Sequence, residues 1–274
     1  MARRSPLLNV MCAAVMRSAY NLRRDFGEVE QLQVSRKGPA DFVTIADKKS
    51  EEVLVEELQR ARPDFGFLLE EGGEIKGKDE DSRWIIDPLD GTTNFLHGIP
   101  HFAISIALEK RGEIVAGVIY NPINDELFWA EKGDGAFLND VRLRVSGRGK
   151  LEDSILATGI PFKGRTDEMG FKRFNGQMAE FMPNVAGIRR IGAASLDLAW
   201  TAAGRYDGFW EDGLSPWDMA AGIIIMQEAG GIVTDMSGRS NMLATGGIIA
   251  SNDRLHSPIE RVIKRVERSL AKQD

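Results

Sequence analysis

The chain has 274 residues, 43% of them hydrophobic and 28% charged, with a net charge of −6. That composition is ordinary for a globular protein, and the acidic balance argues against a nonspecific nucleic-acid binder, which needs a basic footprint. The single cysteine, Cys12, closes no internal disulfide, which fits a reducing, cytoplasmic setting, and three scattered histidines disfavour a zinc site, so any metal would rest mainly on carboxylates.

Arg3-Arg4 ahead of Leu7 to Met16 imitates a secretory leader. Asn9 interrupts that apolar run, however, and Leu8, Met11, Cys12, Val15, Ala19 and Leu22 fall on one helical stripe, predicting a helix over 6–29. No run approaches membrane-spanning length. Gly38-Pro39-Ala40-Asp41 reads as a turn, and 45–61 as a second helix. Phe65–Leu69 is a short strand ending at Glu70-Glu71-Gly72-Gly73. An acidic loop, Lys76–Asp81, leads to a strand at Arg83–Ile86. Phe102–Leu108, Ile114–Tyr120 and Glu126–Ala130 alternate with turn residues, as in a meander, and Gly133-Asp134-Gly135 begins another hairpin. Beyond about residue 150, strands and helices alternate. Strands are read at Ser154–Thr158, Gly187–Arg190, Asp207–Glu211, Ile232–Asp235 and Gly247–Ala250. Helices are read at Asp167–Phe181, Ala194–Ala203 and Trp217–Ala229, with a last one capped by Ser257, Pro258 and Glu260. The expected organisation is a single unit over 1–274, with lobes at about 1–150 and 151–274.

Acidic residues stand at element ends: Asp47, Glu70-Glu71, Asp87 with Asp90, and Asp218. Each has an ordinary reading. Asp47, three residues after Thr44, suits a helix cap, and Ser215-Pro216-Trp217-Asp218 reads as N-cap to N3 of an apolar helix. Glu70-Glu71 suits a solvated turn, and Asp87 to Asp90 a simple one. Gathered in one crevice, though, such carboxylates repel unless divalent cations sit between them. Paired Mg²⁺ ions are one solution for phosphoryl transfer to water. In that arrangement Asp87 bridges the ions, the Leu89 carbonyl adds an oxygen, and Gly91 and Thr92 offer N–H groups to a phosphate.

Trp84-Ile85-Ile86-Asp87-Pro88-Leu89-Asp90-Gly91-Thr92 resembles the first signature of the inositol monophosphatase family. Trp217-Asp218-Met219-Ala220-Ala221-Gly222 through Glu228-Ala229-Gly230-Gly231 resembles the second. Glu70-Glu71, and Asp41-Phe42-Val43-Thr44 leading to Asp47, fit the same pattern. Pro216-Trp217-Asp218, Pro100-His101-Phe102 and Ala203-Gly204-Arg205 resemble the bacterial, extragenic-suppressor branch most.

The resemblance implies an α/β (α+β) fold, a layered α/β/α/β/α sandwich of the sugar-phosphatase type, usually dimeric, Mg²⁺-dependent and lithium-inhibited. By it, two or three Mg²⁺ ions rest on Glu70, Asp87, the Leu89 carbonyl, Asp90 and Asp218. Asp47, Thr92 and Glu70 are catalytic, with Asp47 and Thr92 orienting and deprotonating the attacking water. Asp90, Gly91, Thr92, Ala194, Glu211 and Asp218 contact substrate, a small phosphorylated polyol, with myo-inositol 1-phosphate foremost. Two positions depart from the family pattern: Gly72, where serine is common, loosens its loop, and Ala193, where serine or threonine is common, puts polyol selectivity in question.

Three alternatives follow. Haloacid-dehalogenase phosphatases place a nucleophile in Asp-x-Asp-Gly-Thr, but here two residues separate the aspartates, which moves a nucleophile off line. Other relatives hydrolyse fructose 1,6-bisphosphate, NADP or histidinol phosphate. A second phosphate would need a clamp from Arg36, Lys37, Lys163, Arg165, Lys172, Arg173, Arg189 or Arg190. Bacterial relatives also act as partners of the transcription machinery, a role carried here by analogy alone. Neither membrane nor direct nucleic-acid binding is expected.

Overall fold

A computed structural model describes residues 4–26, 34–38, 41–162 and 166–272, with backbone alone at 34–38 and 41–44. The first helix, α1 (Pro6–Phe26), buries all six residues of the predicted stripe. Its predicted last turn, 27–29, lies outside the described residues, as do Pro39 and Ala40 of the predicted turn. An antiparallel ribbon follows, β1 (Val34–Gly38) with β2 (Asp41–Thr44), and leads into α2 (Ile45–Ala61).

Next come β3 (Phe65–Leu69), β4 (Gly73–Ile75), β5 (Asp79–Asp90) and a short α3 (Thr92–Leu96). The meander is β6 (Ala103–Lys110), β7 (Glu113–Asn121), β8 (Glu126–Glu131), β9 (Gly135–Leu138) and β10 (Val141–Arg142). The remaining elements are β11 (Ile155–Thr158), α4 (Glu168–Phe181), β12 (Gly187–Arg189), α5 (Ala194–Ala202), β13 (Gly208–Glu211), α6 (Pro216–Glu228), β14 (Ile232–Thr234), α7 (Met242–Thr245), β15 (Ile248–Ser251) and α8 (Asp253–Leu270).

Two sheets result. The first runs β10-β9-β8-β7-β6-β5-β3-β4, and the second β12-β11-β13-β15-β14. Helices α1 and α2 cover one face of the eight-stranded sheet, α5 and α6 fill the space between the sheets, and α4 with α8 backs the five-stranded sheet. This is the expected α/β/α/β/α layering. A helix buried on both sides must be apolar all round, and α6 is: Met219 through Met226 are buried without a break. The layers close because two glycines permit contact. A Cβ on Gly117 of β7 would lie 2.6 Å from Ile224 of α6, and one on Gly222 of α6 would lie 2.5 Å from Leu198 of α5.

Three details differ from the sequence reading. Half of the predicted acidic loop, Asp79–Asp81, is the solvated start of β5, where Asp79 pairs with Phe65 of β3 and the β6 ladder begins at Ser82. The short α3 and α7, and the hairpin strand β4, carry too few residues for a readable period. The last helix begins earlier than predicted: Asn252, not Ser257, is its N-cap, accepting the N–H groups of Arg254 and Leu255 at 3.0 and 2.9 Å. The Asn252 amide also donates to the carbonyls of Ser146 and Arg148, both at 2.8 Å, so tertiary ties select it over the local Ser257 signal. Among the described residues, no helix is long and apolar enough to cross a membrane.

Candidate active site

The site is built around an irregularity in β5. Asp87 faces Ser105 of β6 and Asp90 faces Ala103, so four residues oppose three and the strand bulges. Pro88, which has no N–H for a ladder, is tolerated inside a sheet because it sits in this bulge. The Pro88 carbonyl accepts the Ser50 hydroxyl at 2.8 Å, and Ser50 meets Ser18 at 2.6 Å, so α1 and α2 both brace the bulge from behind. In front, Asp87 accepts the Leu89 N–H at 2.9 Å. Thr92 Oγ1 lies 3.1 Å from the Leu89 carbonyl and 3.1 Å from Asp47 Oδ1. The chain turns at Gly91, whose φ of 93° is left-handed and whose absent Cβ would stand 3.1 Å from the His101 carbonyl.

These residues open onto a cleft of about 140 Å³ between the two sheets. Glu70, Asp87, Leu89, Asp90, Gly91, Thr92, Ala194, Glu211 and Asp218 all line it. Asp47 stands behind Thr92 and is buried. The residues expected to hold metal, to act in catalysis and to contact substrate therefore gather at this one place, from both halves of the chain.

Most of these carboxylates also have structural ties. Asp218 accepts the Ser215 N–H at 2.7 Å in a full capping box, so the cap reading and the cleft reading both hold. Asp90 accepts the backbone N–H of Ser195 at 2.8 Å and the Ser195 hydroxyl as well. The N-cap of α5 is Ala193, which has no capping side chain. Asp90 supplies that charge from another element, at the end of a helix that favours an anion. Beside the cleft, the Glu71 N–H donates to Glu51 at 2.9 Å.

The electrostatics record the crowding. Burial, then the charges of Glu70, Asp90 and Asp218, push the Asp87 carboxyl well above the usual carboxylate range. Among the described residues, no three acidic, histidine or cysteine side chains are already closed around a common point as a finished cage. The donor set nevertheless suits a hard divalent cation: oxygens alone, from the carboxylates of Glu70, Asp87, Asp90 and Asp218 and the backbone carbonyl of Leu89, with Asp87 buried among its acidic neighbours.

Several residues escaped the sequence reading. Ser195 is tied to Asp90 across 105 positions. The Asn94 amide joins α3 to the far side of the cleft through the carbonyls of His101 (2.7 Å) and Ile191 (2.8 Å). Asp197 is buried in α5, and burial, then Glu211 and Asp90, push its carboxyl well up. Of the basic candidates, Arg190 lines the cleft, while Lys172, Arg173 and Arg189 do not. Lys163 and Arg165 lie outside the described residues, and Arg36 and Lys37 have no described side chains.

The chain is similar over nearly its whole length to known proteins. The description "Inositol monophosphatase family" matches residues 3–271. An inositol-1-monophosphatase of Rhizobium meliloti is 56% identical over 262 residues, 96% of this chain and 97% of that protein. A protein of Escherichia coli named Nus factor SuhB is 43% identical over 250 residues, 91% of this chain and 92% of that one. The crystal structure of extragenic suppressor protein suhB from Bartonella henselae superposes with a TM-score of 0.92 at 56% identity, covering 95% of this chain and 99% of that chain.

Proposed function

The chain belongs to the inositol monophosphatase family, and from that premise we propose that it hydrolyses a phosphate monoester, myo-inositol 1-phosphate foremost, with Mg²⁺ as cofactor. One observation carries this: Glu70, Asp87, Asp90 and Asp218 share a cleft with Thr92, whose hydroxyl is bonded to Asp47 behind it.

Glu70, Asp87, the Leu89 carbonyl, Asp90 and Asp218 would hold two or three Mg²⁺ ions. Bound there, they supply the positive charge that lets a phosphate approach these carboxylates and that assists the leaving oxygen. The chain does the rest. The backbone N–H groups of Gly91 and Thr92 orient the phosphate on the closed side of the turn. Thr92 Oγ1 takes up the proton of the attacking water while passing its own to Asp47 Oδ1, 3.1 Å away. Asp47 is buried, so the proton is held out of bulk water. On the open side, Glu211 accepts hydroxyls of the alcohol, and Ala194 packs against its ring.

Phosphate release from myo-inositol 1-phosphate, with Mg²⁺, chelator and lithium as variables, tests the reading. Asp87→Asn should reduce turnover at least ~100-fold at saturating Mg²⁺; unchanged turnover contradicts its role. Other sugar and nucleotide phosphates belong in the same panel, because Arg190 in the cleft favours an additional anionic group.

A second role beside hydrolysis, as a partner of the transcription machinery, is supported by the relatives named Nus factor. Capture of RNA polymerase and its elongation factors by wild type and by Asp87→Asn separates the two roles: equal capture supports an independent surface, and no capture by either removes it. A homodimer is proposed on the family pattern, and light scattering in solution tests it.

A further inference from the structure

Strands β11 and β13 run parallel and end together at the cleft. Their register pairs Ala157 with Phe209 and Thr158 with Trp210, so one further step sets Gly159 against Glu211. Both of these residues line the cleft. Side chains of neighbouring strands rise on a shared face of the sheet, but here one of the pair has no side chain and the other leans into the space. A Cβ on Gly159 would fall inside the Glu211 carboxyl group. The three atoms nearest to it are Oε1, Cδ and Oε2 of that residue, the last at 2.5 Å.

The backbone itself does not ask for glycine at this position. Gly91 has a left-handed φ of 93°, whereas Gly159 lies outside the left-handed region, where residues with a Cβ are accommodated. The main chain under Glu211 is also held. Strand β13 is bonded between β11 and β15, with Glu211 opposite Ile248. Beyond it, Asp212 accepts the Gly213 N–H at 3.0 Å and the Arg173 guanidinium at 3.2 Å. A group added at residue 159 would therefore be met by rotation of the Glu211 side chain, and not by movement of its strand.

We propose that Gly159 is a specificity-determining residue. Its missing side chain is the seat that holds the Glu211 carboxylate against the end of β11, where it accepts the hydroxyls of a ring lying across the cleft. A methyl group at 159 swings the carboxylate off that seat, so the fold survives and the preference for a cyclic polyol ester does not. The proposal rests on the monoester-hydrolase reading for its substrate, whereas the seat itself does not.

A double-mutant cycle over Gly159→Ala and Glu211→Ala tests this, because the second change removes the group that the methyl would displace. The first readout is the ratio of kcat/KM for myo-inositol 1-phosphate to kcat/KM for β-glycerophosphate, which has no ring to reach across the cleft. Gly159→Ala in the wild-type chain should lower that ratio about tenfold, the worth of a hydrogen bond to a charged group. The same change in the Glu211→Ala chain should move it by less than about twofold. A ratio that is unchanged or raised by Gly159→Ala, or a second full loss in the Glu211→Ala chain, overturns the proposal.

The second readout needs no turnover. In the Glu211→Ala chain, Gly159→Ala should not lower the urea midpoint, since a permitted Gly→Ala change restricts the unfolded chain. A lowered midpoint there would mean that the methyl meets the main chain, and overturns the seat. If Gly159→Ala alone fails to fold, the double variant decides: folded, it supports the seat, and unfolded, it overturns it. A wild type that releases phosphate from neither ester in Mg²⁺ would sink the hydrolase reading and the selectivity with it. A wild type active on both, with variants that behave additively, would sink the seat alone.

Discussion

Asp218 shows why single residues in this cleft resist a single label. It closes the capping box of α6 and lines the cleft, and Asp90 likewise caps α5 from a neighbouring strand. Removing either would weaken a helix as well as a site, so activity loss at these positions is a blunt test. Glu211 gives a more selective test, since it lines the cleft outside the proposed metal ligands. Glu211→Gln should lower kcat/KM for myo-inositol 1-phosphate by about 10- to 100-fold, the worth of a hydrogen bond to a charged group. A simple ester such as β-glycerophosphate should stay within about threefold. Equal loss with both would contradict a substrate-side role.

His101 gives a different kind of prediction. Burial lowers its pKa from 6.5 to about 4, and its Nε2 has no partner among the described residues. Between those values the unfolded chain binds the extra proton, so stability falls as pH drops from about 6.5 through about 4, by at most ~3 kcal/mol from this group. His101→Phe, which keeps a ring against Trp200, should flatten that acid limb in urea titrations relative to wild type. An identical limb would mean that His101 titrates normally. At this scale the aspartates were legible because they sit beside glycine and hydroxyls in one short run. Ser195 and Asn94 were not, because a lone hydroxyl or amide means nothing until its partner, about a hundred residues away, is beside it.

Among the elements, the long amphipathic helices and the meander strands were legible because each repeats its apolar period over several turns or pairs. The start of β5 was misread as a loop, since its acidic residues lie at the fringe of the sheet, with Asp79 paired to Phe65 of β3 ahead of the β6 ladder. The start of α8 was misread because the capping-box pattern at Ser257 is a local signal, whereas Asn252 is held by the carbonyls of a distant segment. That difference can be measured. Asn252→Ala should cost ~1–2 kcal/mol, the worth of a strong cap, while Ser257→Ala should stay within about 0.5 kcal/mol. Chemical denaturation gives both numbers, and a reversed order would return the helix start to Ser257. Packing between elements adds one more test. Gly117→Val would force a side chain into Ile224 and the backbone of Ala221, for a loss of ~1–3 kcal/mol in the same assay.

Across the whole molecule, α5 and α6 bring the two sheets together, and the cleft lies where β5 and β13 end near the starts of these helices. The layering was legible only through family resemblance, since nothing local in a strand says which sheet it joins. What the architecture costs is clearer: it buries Asp87 among Glu70, Asp90 and Asp218, like charges that repel without a cation. Binding of a cation to the folded state alone must raise its stability.

Thermal unfolding of wild type and Asp87→Asn, in chelator and across a Mg²⁺ titration, reads this directly. Convergence of the carboxylates on shared cations requires the wild-type Tm to climb with Mg²⁺. It also requires Asp87→Asn to be the more stable of the two in chelator and to lose most of the response. A wild-type Tm indifferent to Mg²⁺, with Asp87→Asn the less stable in chelator, would contradict it.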